Sequence, residues 1–210
     1  MFINIVVFII PLVVSQWDEP IYINGVLFGP SIFNDGQFYR FVTSMFMHSG
    51  AMHIVMNVLS LYLIGQVLER LFKPLTYLSI YFITAIFGSL VYLLVSHPDG
   101  QAVGASGAIF GMFGALAGFA WVHRKTMQDE FMQFMRSFGM ILLLNLGLGL
   151  AMPQIAMSAH IGGLVAGIIS GVVMAKNPNY LWAYLAGSAV LVLLSSNYLS
   201  LLYVPTFLLH

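Results

Sequence analysis

The 210-residue chain contains no cysteine, and this absence excludes disulfide bonds, catalytic thiols and iron–sulfur ligation. Charged residues are also scarce, at 7% of the chain, whereas a typical soluble domain has about 25%. Hydrophobic residues make up 60% of the chain, and the mean hydropathy is +0.94. The formal net charge is +0, so nothing in the charge balance suggests a nucleic-acid partner. These scarcities together predict an integral membrane protein.

Long apolar stretches recur along the whole chain. A helix needs about 20 apolar residues to cross roughly 30 Å of hydrocarbon. Stretches near that length lie at 2–16, 53–72, 75–95, 103–122, 136–152, 156–175 and 181–203. We therefore predict an all-α, polytopic helical bundle that forms a single membrane-embedded domain over residues 1–210. The first stretch has no basic segment and no small-residue cleavage site, which favours a retained span over a signal peptide.

The basic residues of the predicted loops lie almost entirely on one side of the membrane. Those that follow even-numbered spans are Arg70, Lys73, Arg124, Lys125, Arg136 and Lys176. Arg40 alone lies on the opposite side. The positive-inside rule then places the N-terminus and these loops in the cytoplasm, so that the first, third and fifth loops face outward. We predict a multi-pass protein of a bacterial plasma membrane.

The outer segment 17–52 is longer than a plain connector and contains many turn-forming residues. From Gln37 to Phe46 the aromatic and aliphatic residues recur at helical spacing, with polar residues opposite. This pattern predicts an amphipathic helix in the outer interface, with Asn34 or Asp35 as its N-cap.

Polar side chains recur at one depth of the predicted bundle. His53 and Asn57 lie four residues apart at the outer end of the second span, so their side chains share one helix face. Ser106 lies about one turn into the fourth span, and His160 opens the sixth. Polar residues within spans are costly and usually face the bundle interior or a water-filled cavity. Their shared depth on three helices predicts one site near the outer face.

Glycines predict the close helix contact that such a site requires. Gly163 and Gly167 lie four residues apart on the sixth span, as do Gly107 and Gly111 on the fourth. Small residues at this spacing let two membrane helices touch. A serine in such a stretch is by itself most often a packing residue that bonds to its own backbone. The histidines at the same depth favour a nucleophile instead.

A nucleophilic serine needs a base to remove its proton and donors to stabilise the oxyanion. Every Asp and Glu lies in a predicted loop or at a span end, so we predict a Ser-His dyad without an acidic third member. The periodicity does not decide which histidine is the base. The pairing of His53 with Asn57 on one face suggests that both are donors, which leaves His160 as the base.

Three motifs in a fixed order resemble those of the rhomboid intramembrane serine proteases. They are His53-x-x-x-Asn57, Gly104-x-Ser106-Gly107 and Ala159-His160-x-x-Gly163-x-x-x-Gly167. The resemblance extends from about residue 37 to residue 176, and the predicted span at 181–203 is then an addition to a six-span core.

The resemblance implies a role for each polar residue of the predicted site. Ser106 would be the nucleophile and His160 the general base and acid, while His53, Asn57 and the Ser106 N–H would form the oxyanion hole. The implied activity is endopeptidase cleavage of transmembrane segments of single-span membrane proteins, which enter sideways past the fifth span. We predict no cofactor and no metal.

The match has two departures. The family often has Trp-Arg in the first outer loop where this chain has Tyr39-Arg40, and we carry over only a role in anchoring that loop. Some members have a tyrosine where this chain has Phe110, which keeps a ring beneath the histidine but not the hydroxyl. Gly104 and Gly163 match family positions that allow helices to approach closely.

Three other hypotheses compete with the protease. An inactive rhomboid-like protein would bind membrane segments without cutting them, but such relatives usually lack the serine or the histidine. A haem or metal protein would use His53 and His160 as axial ligands and would leave Ser106 unexplained. A transporter would need intramembrane acids or inverted repeats, and neither is visible. The oligomeric state does not follow from the sequence.

Overall fold

The computed structural model describes residues 1–126, 129, 133, 136, 137, 139, 140 and 156–203, which form a bundle of helices. The α-helices are α1 (Phe2–Val13), α2 (Asp18–Gly25), α3 (Gly29–Phe33), α4 (Arg40–Thr43), α5 (Ala51–Leu71), α6 (Pro74–Val95), α7 (Ser106–His123), α8 (Met157–Lys176) and α9 (Leu181–Tyr203). Single 3₁₀ turns occupy Ser15–Trp17, Ser44–Phe46 and Pro178–Tyr180. Two short strands, β1 (Leu27–Phe28) and β2 (Gln101–Ala102), pair antiparallel.

The described helices confirm the polytopic helical bundle. Five of them, α5 to α9, are long and apolar enough to cross a membrane. The predicted first span is shorter than expected: α1 ends at Val13, and the chain bends by 115° into the helical stretch Ser15–Gly25. The bent pair counts as a sixth span only if its two arms are taken together. The predicted fifth span, 136–152, lies almost entirely outside the described residues.

The outer segment between α1 and α5 is more ordered than predicted, and the amphipathic helix predicted there is wrong in length. The α-helix covers only Arg40–Thr43 and continues as the 3₁₀ turn Ser44–Phe46. Neither Asn34 nor Asp35 caps it, because Tyr39 is the residue before the helix and no side chain makes a capping bond there. The apolar residues keep their helical spacing over these two short elements. The chain then leaves towards α5.

Helix α7 forms the centre of the bundle. Of its most apolar stretch of 18 residues, 61% is buried, whereas the corresponding share for the stretch that includes α9 is 11%. The main apolar cluster joins α7 to α5 and α6 through Leu68, Ile80 and Met112, each fully buried. A second cluster lies at the C-terminal ends of α6 and α9 and joins them to α3. The serine that begins α7 is therefore carried by the most enclosed helix of the described chain.

Helices α7 and α8 touch through their backbones. A Cβ on Gly163 would overlap the carbonyl oxygen of Gly107, and a Cβ on Gly167 would overlap that of Gly111. The contact is reciprocal, because a Cβ on Gly114 would overlap the Leu164 carbonyl oxygen. Only glycine leaves room for this approach, which sets the separation between the first turns of the two helices. We call this contact the glycine seam.

The last helix packs at the edge of the bundle. Tyr203, at the outer end of α9, donates from its hydroxyl to the Leu93 carbonyl of α6 at 3.0 Å. Its ring lies 5.1 Å from that of Phe33, between centroids, and fills the space above Gly29. Helix α9 therefore holds the outer segment that contains α3 against α6.

Candidate active site

Ser106 is the first residue of α7, where the backbone carries unpaired donors. The first intrahelical bond runs from the Ile109 N–H to the Ala105 carbonyl at 3.0 Å, so the Ser106 N–H makes no bond within the helix. Gly104 has φ +120°, a conformation that side chains rarely adopt, and its N–H bonds to the Ser44 carbonyl at 2.9 Å. This turn presents the half-buried Ser106 side chain at the positive end of the α7 dipole.

His160 lies directly against Ser106. Its Nε2 is 2.7 Å from the Ser106 Oγ, a hydrogen bond that joins α8 to α7 across 54 residues of sequence. The imidazole is 9% exposed and stacks on Phe110, with ring centroids 4.4 Å apart and planes 10° from parallel. The stacking ring and the glycine seam together fix the orientation of the base relative to the hydroxyl.

The far nitrogen of His160 has no carboxylate partner. Its Nδ1 is buried and makes no hydrogen bond to any residue the structure describes. When Nε2 accepts the Ser106 proton, Nδ1 carries the other ring hydrogen in the neutral imidazole. Within the described chain, the arrangement is a dyad in which packing, and not an acid, orients the imidazole.

His53 approaches Ser106 from the other side, across Gly104. A Cβ on Gly104 would lie 2.8 Å from both Cε1 and Nε2 of His53 and 3.8 Å from the Ser106 Oγ. Gly104 therefore makes room for the imidazole of His53, whereas the sequence analysis expected it to allow helix approach. At the opposite edge of the ring, Nδ1 lies 3.1 Å from the Ser49 Oγ.

Asn57 lies one turn below His53 on α5. It is 5% exposed, and its Nδ2 donates one hydrogen to the His53 carbonyl at 2.8 Å. The amide has a second hydrogen on the same nitrogen, while Oδ1 makes no bond to the described residues. Asn57 can thus brace the start of α5 and still offer one donor to a developing negative charge.

The outer segment frames the site through buried hydrogen bonds. Arg40 is 3% exposed and donates to the Val26 carbonyl and to Gln37 Oε1, each at 2.8 Å. Strand β1 then pairs with β2, with Leu27 opposite Ala102, four residues before the nucleophile. Arg40 therefore holds the strand that supports the loop leading into Ser106.

A small cavity of about 30 Å³ adjoins the nucleophile. The hydroxyl-bearing residues Ser44, Ser89 and Ser106 are among its lining residues, with Gly104 between them. A volume of that size is enough for one water molecule, provided that it has polar partners. The cavity therefore has room for one water molecule beside the Ser106 hydroxyl.

The structure brings Ser106, His160 and His53 together at the N-terminal ends of three helices, with Asn57 one turn further along α5. The sequence analysis missed His48 and Ser49, which precede α5 and contact His53. The rings of His48 and His53 pack edge to face with centroids 5.1 Å apart. Burial, and then the nearby His53, lower the pKa of His48 to about 4. The sequence feature that could have indicated these residues is a second histidine five residues before His53 in the same outer segment.

Comparisons with known proteins identify relatives of this chain. A family model described as the Rhomboid domain matches residues 35–177. The chain is 36% identical over 145 residues to Rhomboid protease GluP of Bacillus subtilis (strain 168), covering 67% of this chain and 27% of that relative. It is 33% identical over 147 residues to RHOMBOID-like protein 5 of Arabidopsis thaliana, covering 70% of this chain and 47% of that relative.

A third relative matches a longer stretch. The chain is 30% identical over 182 residues to Rhomboid-like protease 1 of Toxoplasma gondii, covering 83% of this chain and 61% of that relative. In all three comparisons the chain spans less than two thirds of the relative's length. Because the family model matches well over half of the 210 residues, the chain belongs to the rhomboid family.

Proposed function

We propose that the protein is an intramembrane serine endopeptidase that cleaves transmembrane segments of other membrane proteins. The observation that carries the proposal is the 2.7 Å contact between His160 Nε2 and Ser106 Oγ. A hydrogen bond between a serine and a buried imidazole on two different helices is the geometry that nucleophilic catalysis requires. The family relationship, with relatives named as proteases, supports the same activity.

In the first step, Ser106 attacks the carbonyl carbon of the scissile bond. His160 Nε2 takes the hydroxyl proton as the bond between Ser106 Oγ and that carbon forms, and the carbonyl oxygen becomes an oxyanion. The imidazolium then gives this proton to the leaving amine as the C–N bond breaks. The product is an acyl-enzyme on Ser106, with the neutral His160 restored.

The oxyanion is stabilised from the opposite side of Ser106. The Ser106 N–H lies at the start of α7, where it has no helical partner and the dipole favours negative charge. His53 faces the same space across Gly104, and Asn57 has a free amide hydrogen. Donors of this kind supply a large share of catalysis in acyl transfer, because they stabilise charge that develops only in the transition state.

Deacylation uses a water molecule. His160 removes a proton from this water as it attacks the ester carbonyl, and returns the proton to the Ser106 oxygen when the ester bond breaks. The cavity beside Ser106 is a suitable place for that water, since it adjoins the hydroxyl and is lined by Ser44 and Ser89.

The substrates are single-span membrane proteins that enter sideways past the predicted fifth span, a region almost entirely outside the described residues. Helix-breaking or small residues near the cleavage site favour cutting, because an intact helix keeps its amides bonded and closed to attack. The proposal puts the protein in a bacterial plasma membrane, and the distribution of basic residues supports a cytoplasmic N-terminus and a site near the outer face.

The test is cleavage of a single-span model substrate by purified protein in liposomes. Ser106→Ala and His160→Ala should each abolish cutting, because either change removes the dyad. Ser200→Ala and His97→Ala are matched controls that should retain it. Ser200 bonds to the Asn197 carbonyl on α9, and His97 lies in an exposed loop with its side chain 77% exposed.

Labelling with a serine-reactive fluorophosphonate checks the nucleophile independently of the substrate. Wild type should be labelled and Ser106→Ala should not. If wild type is neither labelled nor able to cut, the protein is a rhomboid-like binding protein without protease activity. If Ser106→Ala cuts as well as wild type, Ser106 is a packing residue.

A further inference from the structure

The Ser49 side chain and amide both lie against one nitrogen of His53. The Ser49 Oγ is 3.1 Å from His53 Nδ1, and the Ser49 backbone nitrogen is 3.5 Å from the same atom. Both groups belong to the segment immediately before α5, four residues from the imidazole. The far nitrogen, Nε2, lies on the side of Gly104 and Ser106.

The backbone amide gives this contact a direction. An N–H can only donate, so His53 Nδ1 must present its lone pair to it. The Ser49 hydroxyl can rotate to donate to the same nitrogen. A neutral imidazole whose Nδ1 is an acceptor carries its single hydrogen on Nε2.

The tautomer matters for what His53 presents to the reaction. With the hydrogen on Nε2, the imidazole offers a donor to the space between Gly104 and Ser106, where the oxyanion develops. With the hydrogen on Nδ1, it would present a lone pair there and repel the negative charge. His53 therefore needs one specific tautomer to stabilise the transition state.

We propose that Ser49 is a positioning residue that sets the tautomer of His53, through donation from its N–H and O–H to Nδ1, so that Nε2–H faces the oxyanion. The proposal rests on the proposed function in assigning His53 to the oxyanion hole. The ring is also confined by His48 on one side and Gly104 on the other, so the hydrogen-bond direction, and not the ring position, is what Ser49 adds.

Nitrogen-15 NMR of histidine-labelled protein reads the tautomer directly and requires no substrate. His53 is assigned as the signals that disappear in His53→Ala. In wild type we expect a protonated Nε2 and an unprotonated Nδ1. In Ser49→Ala the hydroxyl is lost and only the long amide contact remains, so signals of the other tautomer should grow. Ser49→Thr keeps the hydroxyl and should retain the wild-type signature.

Kinetics then link the tautomer to catalysis. Ser49→Ala should lower kcat about 2- to 12-fold, the effect of one net hydrogen bond, with KM unchanged. Ser49→Thr should restore kcat, and Ser200→Ala should leave it unchanged. In a His53→Ala background the Ser49→Ala change should have no further effect, because its only route to the reaction has been removed.

Two results would overturn the inference. One is a wild-type His53 with its hydrogen on Nδ1. The other is a Ser49→Ala loss in kcat that persists at full size in the His53→Ala background, which would mean that Ser49 acts through the fold. Both leave the protease proposal standing as long as wild type cuts and Ser106→Ala does not. Cleavage by Ser106→Ala would instead refute the proposed function, whatever the tautomer signals.

Discussion

His160 is positioned by helix backbones, whereas His53, on the other side of Ser106, is positioned by a loop. On the His160 side, Gly163 and Gly167 bring α8 against the α7 carbonyl groups, and Phe110 supports the ring. On the His53 side, the imidazole lies between the residues before α5 and the Gly104 turn, and hydrogen bonds hold it.

The two kinds of support should respond differently to change. The backbone contact leaves no space for a side chain, because a single added methyl group overlaps a carbonyl oxygen. A hydrogen-bonded loop can adjust by small rotations and loses one bond at a time. Substitutions in the glycine seam should therefore affect folding and catalysis together, while those near His53 should affect the rate and leave the fold intact.

Breaking the glycine seam should have the largest effect. Gly167→Leu forces a side chain into the Gly111 carbonyl, so we expect a loss of more than about 3 kcal/mol in unfolding free energy and no cleavage. Gly187→Leu is the matched control, because Gly187 on α9 has open space around its Cβ position. Thermal unfolding in detergent and substrate cleavage check both. Equal behaviour of the two variants would contradict the tight seam.

Removing a donor on the loop side should lower the rate with little loss of stability. Asn57→Ala should lower kcat by about 10²- to 10³-fold, as loss of one oxyanion donor does. Asn24→Ala is the control, since the exposed Asn24 Nδ2 makes the same kind of bond to the carbonyl four residues earlier, at 2.8 Å. Unchanged cleavage by Asn57→Ala would remove Asn57 from the oxyanion hole.

The stacked ring on the His160 side should have a moderate effect. Phe110→Leu removes an aromatic contact of the kind worth about 0.5–1.5 kcal/mol, so we expect a 2- to 12-fold loss in kcat. Phe110→Tyr keeps the ring and should retain activity near the wild-type level. Cleavage rates of the two variants, measured side by side, distinguish the effect of losing the aromatic ring from the effect of changing the side chain while the ring is kept. A Phe110→Leu rate equal to wild type would show that the seam alone orients His160.

The smallest effect at neutral pH should come from His48, because its protonation affects stability only in acid. Its pKa is about 4 in the fold and 6.5 in the unfolded chain, so the unfolded state binds more protons between these values. Stability should therefore fall as pH falls from 6.5 towards 4, by at most about 1.4 kcal/mol per unit and by less because solvent reaches the ring. Thermal unfolding of His48→Gln over this range should show a shallower slope than wild type. An identical slope would assign the dependence to other groups.

The long helices and their polar residues were predictable because each depends on local composition or spacing. The apolar stretches around α5 to α9 are recognisable by length alone, and His53 and Asn57 share a face because they lie four residues apart. The outer segment was harder to predict. Its apolar spacing suggested a helix from Gln37 to Phe46, but pairing of β1 with β2 and the buried Arg40 hold the chain in a shorter turn.

The role of Gly104 and the contacts of Ser49 could not be predicted for a related reason. Gly104 looked like a glycine for helix approach, but its φ of +120° and its contact with His53 are properties of a turn between two helices. Ser49 is an ordinary polar residue in the sequence. It becomes relevant only because the chain before α5 bends back towards the imidazole.

The sequence by itself determined that the chain is a membrane bundle and which polar side chains lie at one depth in it, because hydropathy and helical periodicity act over short distances along the chain. Only the tertiary structure decided that Ser106 and His160 lie within hydrogen-bonding distance and that His53 faces them across Gly104. Those relations join residues up to 54 positions apart. They depend on backbone contacts that a single added methyl group would disrupt.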